Sequence, residues 1–312
     1  MPATPNPKRY RRALNGVLLF DKPLELSSND ALQKVRRLFN AEKAGHTGTL
    51  DPLATGLLPI CFGESTKYTV TLLDADKGYC ATIRLGQKTS TGDAEGEVIE
   101  TRPVQVDEAQ VLRVLNTFKG EGQQLPPMHS ALKHEGKPLY EYIRKGETIE
   151  RESRTVFIHE LTLQRLSGDA LEFFVRCSKG TYVRTLAEDI GEALGCGGHL
   201  IALRRTQIGD FTLDNAYTLP QLEAMDVTQR DAQLMPLEGL LSSLPSLDVD
   251  GVQAIRLARG QRLAWTDAHP DGQRRLYAEG QFIGLGELIG GRLSPTRLVS
   301  TLAKLAATPN SA

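Results

Sequence analysis

In the stretch SSNDALQKVRRLFN, Ala31, Val35, Leu38 and Phe39 fall at i, i+4, i+7 and i+8. That spacing is the apolar stripe of an amphipathic helix, with Ser27, Ser28 or Asn29 as its N-cap. The run GVLLFDKP before it is mostly apolar and stops at Pro23, which predicts a short buried strand. GLLPICFGEST and GYCATIRLG predict two more strands, followed by TSTGDAEG as the glycine-bearing turn of a hairpin. VDEAQVLRVLNTFKG predicts a helix that opens near Asp107 and closes before Gly120. RTVFIHELTLQRL and ALEFFVRCS pair as strands across SGD. TYVRTLAEDIGEALG sets Val183, Leu186, Ile190 and Leu194 on one helical stripe, with Thr181 able to cap it, and HLIALRRTQIGDFTL returns to strand. Strands that lead into single helices, with hairpins between them, give an α+β fold with a mixed or antiparallel sheet.

One segment breaks the alternation. QQLPPMHSALKHEGKPLYEYIRKGE carries a Pro-Pro pair, two glycines and several basic side chains, so it forms no continuous element and reads as an excursion over about residues 123–153. MPATPNPKRY has three prolines and little to bury, which makes residues 1–13 a mobile basic arm. Residues 217–250 are helix-forming and acidic and read as a connection. Beyond them, VQAIRLARG is a short helix and RLYAEGQFIGLGELIGGRLSPTRLVS is glycine-rich and strand-like. The expected organisation is a main domain over 14–245 and a small β-rich domain over 246–312, a size that folds best against a neighbour.

Composition narrows the class. At 312 residues, with 40% hydrophobic and 24% charged positions, the chain has the make-up of a soluble globular protein. Nothing approaches the roughly 18 consecutive apolar residues of a membrane span, and no apolar stretch follows the basic N-terminus as in a secretory signal. The chain therefore reads as cytoplasmic. Cys61, Cys80, Cys177 and Cys196 are widely spaced without a CxxC pair, so they read as reduced and mostly buried. A net charge of −1 does not suit a nucleic-acid binder, but the distribution does. Lys8, Arg9, Arg11 and Arg12 crowd the start; Lys133, Lys137, Arg144, Lys145, Arg151 and Arg154 gather in the excursion; Arg274, Arg275, Arg292 and Arg297 mark the C-terminal part. Each cluster alone is a solvated face, and together they point to an extended anionic partner.

The segment GHTGTLDPLATGLLPI, residues 45–60, places one carboxylate, Asp51, among small and apolar residues. A buried Asp costs several kcal/mol unless something pairs with it, so either the chain supplies a partner or the segment lies at the surface. The histidines show no HExxH or His/Cys spacing, which argues against a metal site. There is no phosphate-loop lysine, no dinucleotide fingerprint and no GxSxG elbow, although a Ser-His-Asp set assembled in space stays open. The best partner for Asp51 lies in CSKGTYVRTLAEDIG, where Arg184 falls in the first turn of a helix. An Arg can hold a buried carboxylate ionised through a bidentate pair that lowers its pKa and sets its rotamer. Read by itself, Arg184 is more readily a helix-surface residue.

Five segments in order, DKP at Asp21–Pro23, GHTGTLDPLATGLLPI, KGYCATIRLG, LPPMHSALKHEGKPLYEYIRKG and CSKGTYVRTLAEDIG, resemble the bacterial tRNA pseudouridine-55 synthases of the TruB family. The similarity covers about residues 15–215. It implies the pseudouridine synthase fold, and isomerisation of the T-loop uridine of tRNA to pseudouridine without a cofactor. It also implies a monomer that needs no obligate protein partner beyond its tRNA substrate. By this resemblance Asp51 is the catalytic aspartate and Arg184 its basic partner; Tyr79 stacks on the target base; Tyr182 and Leu203 close the uracil pocket. His46 takes the space the flipped nucleotide leaves, and Lys22 and Pro23 support the fold. The excursion resembles a thumb that grips RNA through Lys133, Lys137, Arg144 and Lys145, and the C-terminal part is similar to a PUA-like domain. His129, where an aromatic is expected, and YEYIR in place of YELAR depart from the family pattern and bear on RNA contacts.

The physics suits these roles. A uridine stacked in a loop hides its glycosidic bond, so it must be flipped out at a cost of a few kcal/mol, and stacking on an aromatic recovers roughly 1–3 kcal/mol. Attack at the sugar carbon and proton abstraction leading to a glycal are both open to Asp51. Two other functions compete: a noncatalytic RNA-binding module that keeps the groove, and the family's guide-RNA-dependent relatives. The intact Asp51, Tyr79 and Arg184 set favours catalysis over the first, and the thumb with a minimal C-terminal domain favours a stand-alone enzyme over the second.

Overall fold

A computed structural model of the chain describes residues 11–130 and 132–302. Its main sheet has nine strands: β1 (Gly16–Lys22), β2 (Ala44–His46), β3 (Ala54–Phe62), β4 (Lys77–Leu85), β5 (Gly120–Gln124), β6 (Arg154–Ser167), β7 (Ala170–Cys177), β8 (Gly198–Ile208) and β9 (Phe211–Thr212). The order is β1-β3-β8-β4-β7-β6-β5, with β2 beside β3 and β9 beside β8. All pairings are antiparallel except β3 with β8, where Leu203, Arg204 and Arg205 lie opposite Ala54, Thr55 and Gly56. The sheet is therefore mixed and largely antiparallel, the mixed form of the two that the alternation of strands and helices allows.

Strand periodicity decides which face is covered. Ala81, Ile83 and Leu85 of β4 join Leu171, Phe173 and Val175 of β7 in one core, while Cys80, Thr82 and Arg84 point the other way. That core is closed by Val111 and Leu115 of helix α2 (Glu108–Thr117) and by Val183, Leu186, Ala187 and Ile190 of helix α3 (Val183–Ala193). Helix α1 (Ser28–Leu38) lays Ala31 and Val35 on Leu18, Phe20, Leu58 and Ile60. Of its candidate caps Ser27 is used, its side chain accepting from the Asp30 N–H. Asp107 caps α2 in a reciprocal capping box with Gln110.

Three expectations change, and the excursion, as read, forms only short elements. Lys8 and Arg9 of the arm lie outside the described residues, but its end is anchored rather than mobile. Arg12 N–H donates to Asn40 O at 2.7 Å, Glu42 N–H donates to Arg12 O at 2.9 Å, and the guanidinium pairs with Asp231. Residues 217–250 are not a free connection: Tyr217 and Met235 bridge to Phe20 and Val17 of β1, and Leu222, Leu240 and Leu241 are buried. The excursion is ordered around short elements, a ribbon of Lys133–His134 with Lys137–Pro138 and a helical turn Leu139–Ile143, with Met128 and Leu139 buried. Thr181 does not cap α3: the N-cap is Tyr182, with no side-chain bond of its own, and the Thr181 hydroxyl donates to Ser178 O at 2.9 Å.

The C-terminal unit is a five-stranded sheet of β10 (Ser246–Val249), β11 (Leu263–Ala264), β12 (Gly272–Ala278), β13 (Gln281–Ile289) and β14 (Arg292–Leu298), ordered β10-β12-β13-β14-β11. Helix α4 (Gly251–Ala258) buries Ala254 and Leu257 against it. It docks on the main unit through Leu285, which packs among Val17, Leu57 and Tyr68. The Tyr68 ring also stands edge-on to Phe282 at 5.8 Å, and its hydroxyl donates to Arg297 O at 3.1 Å. Among the described residues no helix is long and apolar enough to cross a membrane.

The parallel step of β3 on β8 demands a glycine. At Gly56 φ is +103°, and a Cβ there would stand 2.2 Å from Arg205 O. Gly56→Ala is expected to destabilise the protein by at least about 2 kcal/mol, read as a lower urea midpoint at constant m-value. An unchanged midpoint would show that the two strands part without cost.

Candidate active site

Asp51 sits in the turn that enters β3, where its carbonyl accepts from Ala54 N–H at 3.0 Å. The loop before it is held by Ser28, 2% exposed, whose hydroxyl donates to Leu50 O at 2.9 Å and accepts from Leu50 N–H at 2.7 Å. Helix α1 thus fixes the loop with one buried side chain at its first turn. The Asp51 side chain is 43% exposed and its Oδ2 accepts from Arg184 Nη2. Both alternatives left open by the sequence hold at once: the carboxylate has a partner and faces solvent.

Arg184, on the second residue of α3, is not a surface residue, being 7% exposed. Its contact with Asp51 is single rather than the expected bidentate fork, because the rest of the guanidinium is engaged elsewhere. Nη1 donates to His129 O at 3.2 Å and lies 3.5 Å from Thr91 O, and Nε stands 3.1 Å from Asp93 Oδ2 without a hydrogen-bond alignment. Asp93 is 2% exposed and is itself held by the Thr91 hydroxyl at 2.6 Å and Glu95 N–H at 3.1 Å. One arginine is therefore clamped between two carboxylates, one buried and one open to the cleft. Sequence reasoning missed Asp93, since an Asp in TSTGDAEG is also what an Asx turn requires.

The cleft in front of this group is about 310 Å³ and is lined by Asp51, Tyr79, Tyr182, Arg184, Leu203 and Arg205 among others. Tyr79 comes from β4 and lies opposite Arg205 of β8 in register, and burial pushes its phenol pKa up, so the ring enters the site neutral. Arg205 and Lys77, which also line the cleft, were not singled out in the sequence; RRT and DKG carry no spacing signal. His46 stands apart. It lies on β2 opposite Ile60, outside the walls of the cleft, with Nδ1 buried and unpartnered, and burial lowers its pKa so that the ring is neutral at pH 7.

Lys22 ends β1 with no exposed surface, its ammonium donating to Pro23 O at 3.0 Å and Leu26 O at 2.5 Å. Burial holds its pKa down to about 8, against the pull of Asp51. Pro23 is exposed, and the reversal after it carries Glu25, whose N–H donates to Pro52 O at 2.9 Å, so this turn supports the Asp51 loop from outside. Lys133, Lys137, Arg144 and Lys145 are exposed on the excursion and do not line the cleft. The base of the excursion reaches it, however. Gln124, 5% exposed, donates to Tyr182 O at 3.0 Å and accepts from Tyr182 N–H at 2.7 Å, replacing the cap that α3 lacks. His129 and Ser130 line the cleft, which ties the thumb to the same helix end as Arg184.

Three family profiles match in succession: "TruB family pseudouridylate synthase (N terminal domain)" over residues 36–183, "tRNA pseudouridylate synthase B C-terminal domain" over 184–242, and "Pseudouridine synthase II TruB, C-terminal" over 245–299. Proteins named tRNA pseudouridine synthase B are similar along nearly their whole length. That of Burkholderia mallei is 56% identical over 305 residues, 96% of this chain and 98% of the relative, and that of Aromatoleum aromaticum is 54% identical over 304 residues, 97% and 98% of the two chains. Among solved structures, a Cbf5-Nop10-Gar1 complex has a chain with TM-score 0.70 at 24% identity, covering 95% of this chain and 91% of that one, and shares the fold.

Proposed function

The chain belongs to the TruB family of pseudouridylate synthases, and on that premise we propose that it isomerises the T-loop uridine at position 55 of tRNA to pseudouridine in the cleft beside Asp51. The observation that carries this reading is the half-exposed Asp51 carboxylate, held by a buried arginine at the wall of a cleft that also presents Tyr79, Tyr182 and Leu203. Among the described residues the hydrogen bonds engage Oδ2, which leaves Oδ1 for the sugar of a flipped nucleotide. Asp51 acts there as nucleophile at C1′ or as base at C2′; either route needs a carboxylate oxygen held in one rotamer, and the Arg184 contact to Oδ2 holds it. Tyr79 offers a stacking face for the extruded uracil, and Tyr182 and Leu203 close around it while it turns.

His129 and Ser130 of the excursion line the cleft from within the same chain, which supports reading the enzyme as a monomer that needs no protein partner; by the family resemblance it is a cytoplasmic tRNA enzyme whose chemistry calls for no cofactor. The direct test is incubation of unmodified tRNA with purified protein alone, followed by mapping of pseudouridine. Product at position 55 supports the reading. Binding without product would favour a noncatalytic RNA module, and product only with an added guide RNA would favour the guide-dependent branch.

Grip and chemistry are expected to separate. Lys133, Lys137, Arg144 and Lys145 are exposed on the excursion, so neutral substitutions there weaken tRNA binding and reduce its salt slope by roughly 0.7 per lost phosphate contact, with turnover at saturating tRNA little changed. Tyr79→Ala instead lowers turnover at saturation, because the base is no longer held over Asp51. Salt titrations of affinity with single-turnover rates measure both, and a Tyr79→Ala protein that reacts normally once saturated would overturn the division.

A further inference from the structure

Three cations stand around the cleft with almost no exposure: Lys22 at 0%, Arg205 at 1% and Lys77 at 8%. None takes part in an ion pair among the described residues. Arg184 is neutralised by Asp51 and Asp93, but these three are held by neutral groups: carbonyl oxygens and, for Arg205, the Tyr79 side chain as well. Lys77 donates to Leu72 O at 3.1 Å, Leu73 O at 2.7 Å and Ala75 O at 2.6 Å, and burial lowers its pKa to about 8. Arg205 donates through Nε to Leu57 O at 2.7 Å and through Nη2 to Gly48 O at 3.5 Å, while bordering the cleft beside Tyr79. Buried charges without counter-charge are costly to keep, and an anion that forms in the cleft is what would pair with them.

The pseudouridine reading, on which this inference rests, produces such an anion. When the C1′–N1 bond breaks, its electron pair leaves with the uracil and spreads over N1, O2 and O4. The ring then turns, C5 bonds to C1′, the proton on C5 departs to solvent and N1 takes one up, so atoms and charge balance without an oxidant. We propose that Arg205 is the group that holds the uracil anion during this turn, with Lys77 and Lys22 adding their field from behind. Lys22 does not line the cleft and the Lys77 ammonium is spent on three carbonyls, whereas the Arg205 guanidinium, with two carbonyl acceptors, also meets the Tyr79 side chain at the cleft wall, where the base stacks.

The test compares tRNA carrying uridine or 5-fluorouridine at the target position. Fluorine stabilises the departing anion and leaves the phosphates alone, so a cation serving the phosphate backbone would not alter the comparison. Arg205→Met is expected to slow single-turnover consumption of uridine by roughly 10²–10³-fold with tRNA affinity unchanged, and the loss on 5-fluorouridine is expected to be at least ten times smaller. An equal loss on both substrates overturns the proposal.

If Arg205→Met does not fold by circular dichroism, Arg205→Lys decides. The titratable groups in electrostatic reach of the site are Lys22 of β1, His46 of β2, Lys77 and Tyr79 of β4, Cys177 of β7 and the Asp51 carboxylate across the cleft. Burial and the two cations push a lysine there to a low pKa, so its turnover should fall at a lower pH than the parent's and return on acidification. A profile that superimposes on the parent's sinks the idea. Absence of pseudouridine with the parent protein would remove the reading itself, and this inference with it.

Discussion

Asp51→Asn is expected to reduce turnover by at least about 10⁴-fold, roughly 5.5 kcal/mol of transition-state stabilisation, while tRNA affinity stays within a few-fold of the parent. The amide has the size of the carboxylate and keeps an oxygen for the Arg184 Nη2 donor, so the loop pinned by Ser28 and Leu50 has no reason to move. What is lost is the negative oxygen. An amide neither attacks C1′ nor removes a proton at C2′, and among the described residues no other carboxylate lines the cleft: Asp93 is 2% exposed and lies behind Arg184. Release of tritium from uracil-labelled tRNA under single-turnover conditions measures the loss, and filter binding measures affinity. Turnover within a hundredfold of the parent would remove Asp51 from the chemistry.

The second large effect is Arg184→Lys, for which a loss of about 10²–10³-fold in turnover is expected, with a smaller effect on binding. The reason lies in how the guanidinium is spent. It reaches Asp51 with one nitrogen, Asp93 with another, and two backbone carbonyls with the third. An ammonium is a point charge on a flexible stem and cannot hold these directions together. Asp93, being buried, competes for it more strongly than the half-exposed Asp51, so Asp51 loses its fixed rotamer. A displacement on the order of 1 Å at a reacting group costs roughly 10²-fold. Asp93→Asn relieves that competition, so in a double-mutant cycle it should be strongly non-additive with Arg184→Lys. Simple additivity would show that Asp93 acts only on stability. Equal turnover of Arg184→Lys and the parent would reduce Arg184 to a packing role.

How much of this was legible before the fold varies with the range of the interaction. The stripe Ala31, Val35, Phe39 and the Asp107 cap are local, and the helices appear where they predict. Thr181 misleads because capping propensity describes a residue, whereas the end of α3 is satisfied by Gln124, 58 positions away in the chain. The excursion forms no long element, as its prolines and glycines require, but only the tertiary structure shows the ribbon and helical turn that bury Met128 and Leu139. The acidic stretch 217–250 read as a connection because its helices are short, and only β1 shows what they cover.

Local periodicity therefore determined by itself the α+β class with a mixed or antiparallel sheet, because each element rests on spacing within about a dozen residues, and the two motifs that resemble the family named Asp51 and Arg184 as a pair to be tested. Tertiary structure alone decided that Asp51 is half open to the cleft, that its arginine is shared with Asp93, and that Arg205 and Lys77 stand buried at the site without an ion pair among the described residues. The physical reason is that burial and charge compensation belong to neighbours in space. Asp51 and Arg184 are 133 positions apart in the chain, and the strand pairing of β3, β8 and β4 places Gly56, Arg205 and Tyr79 side by side.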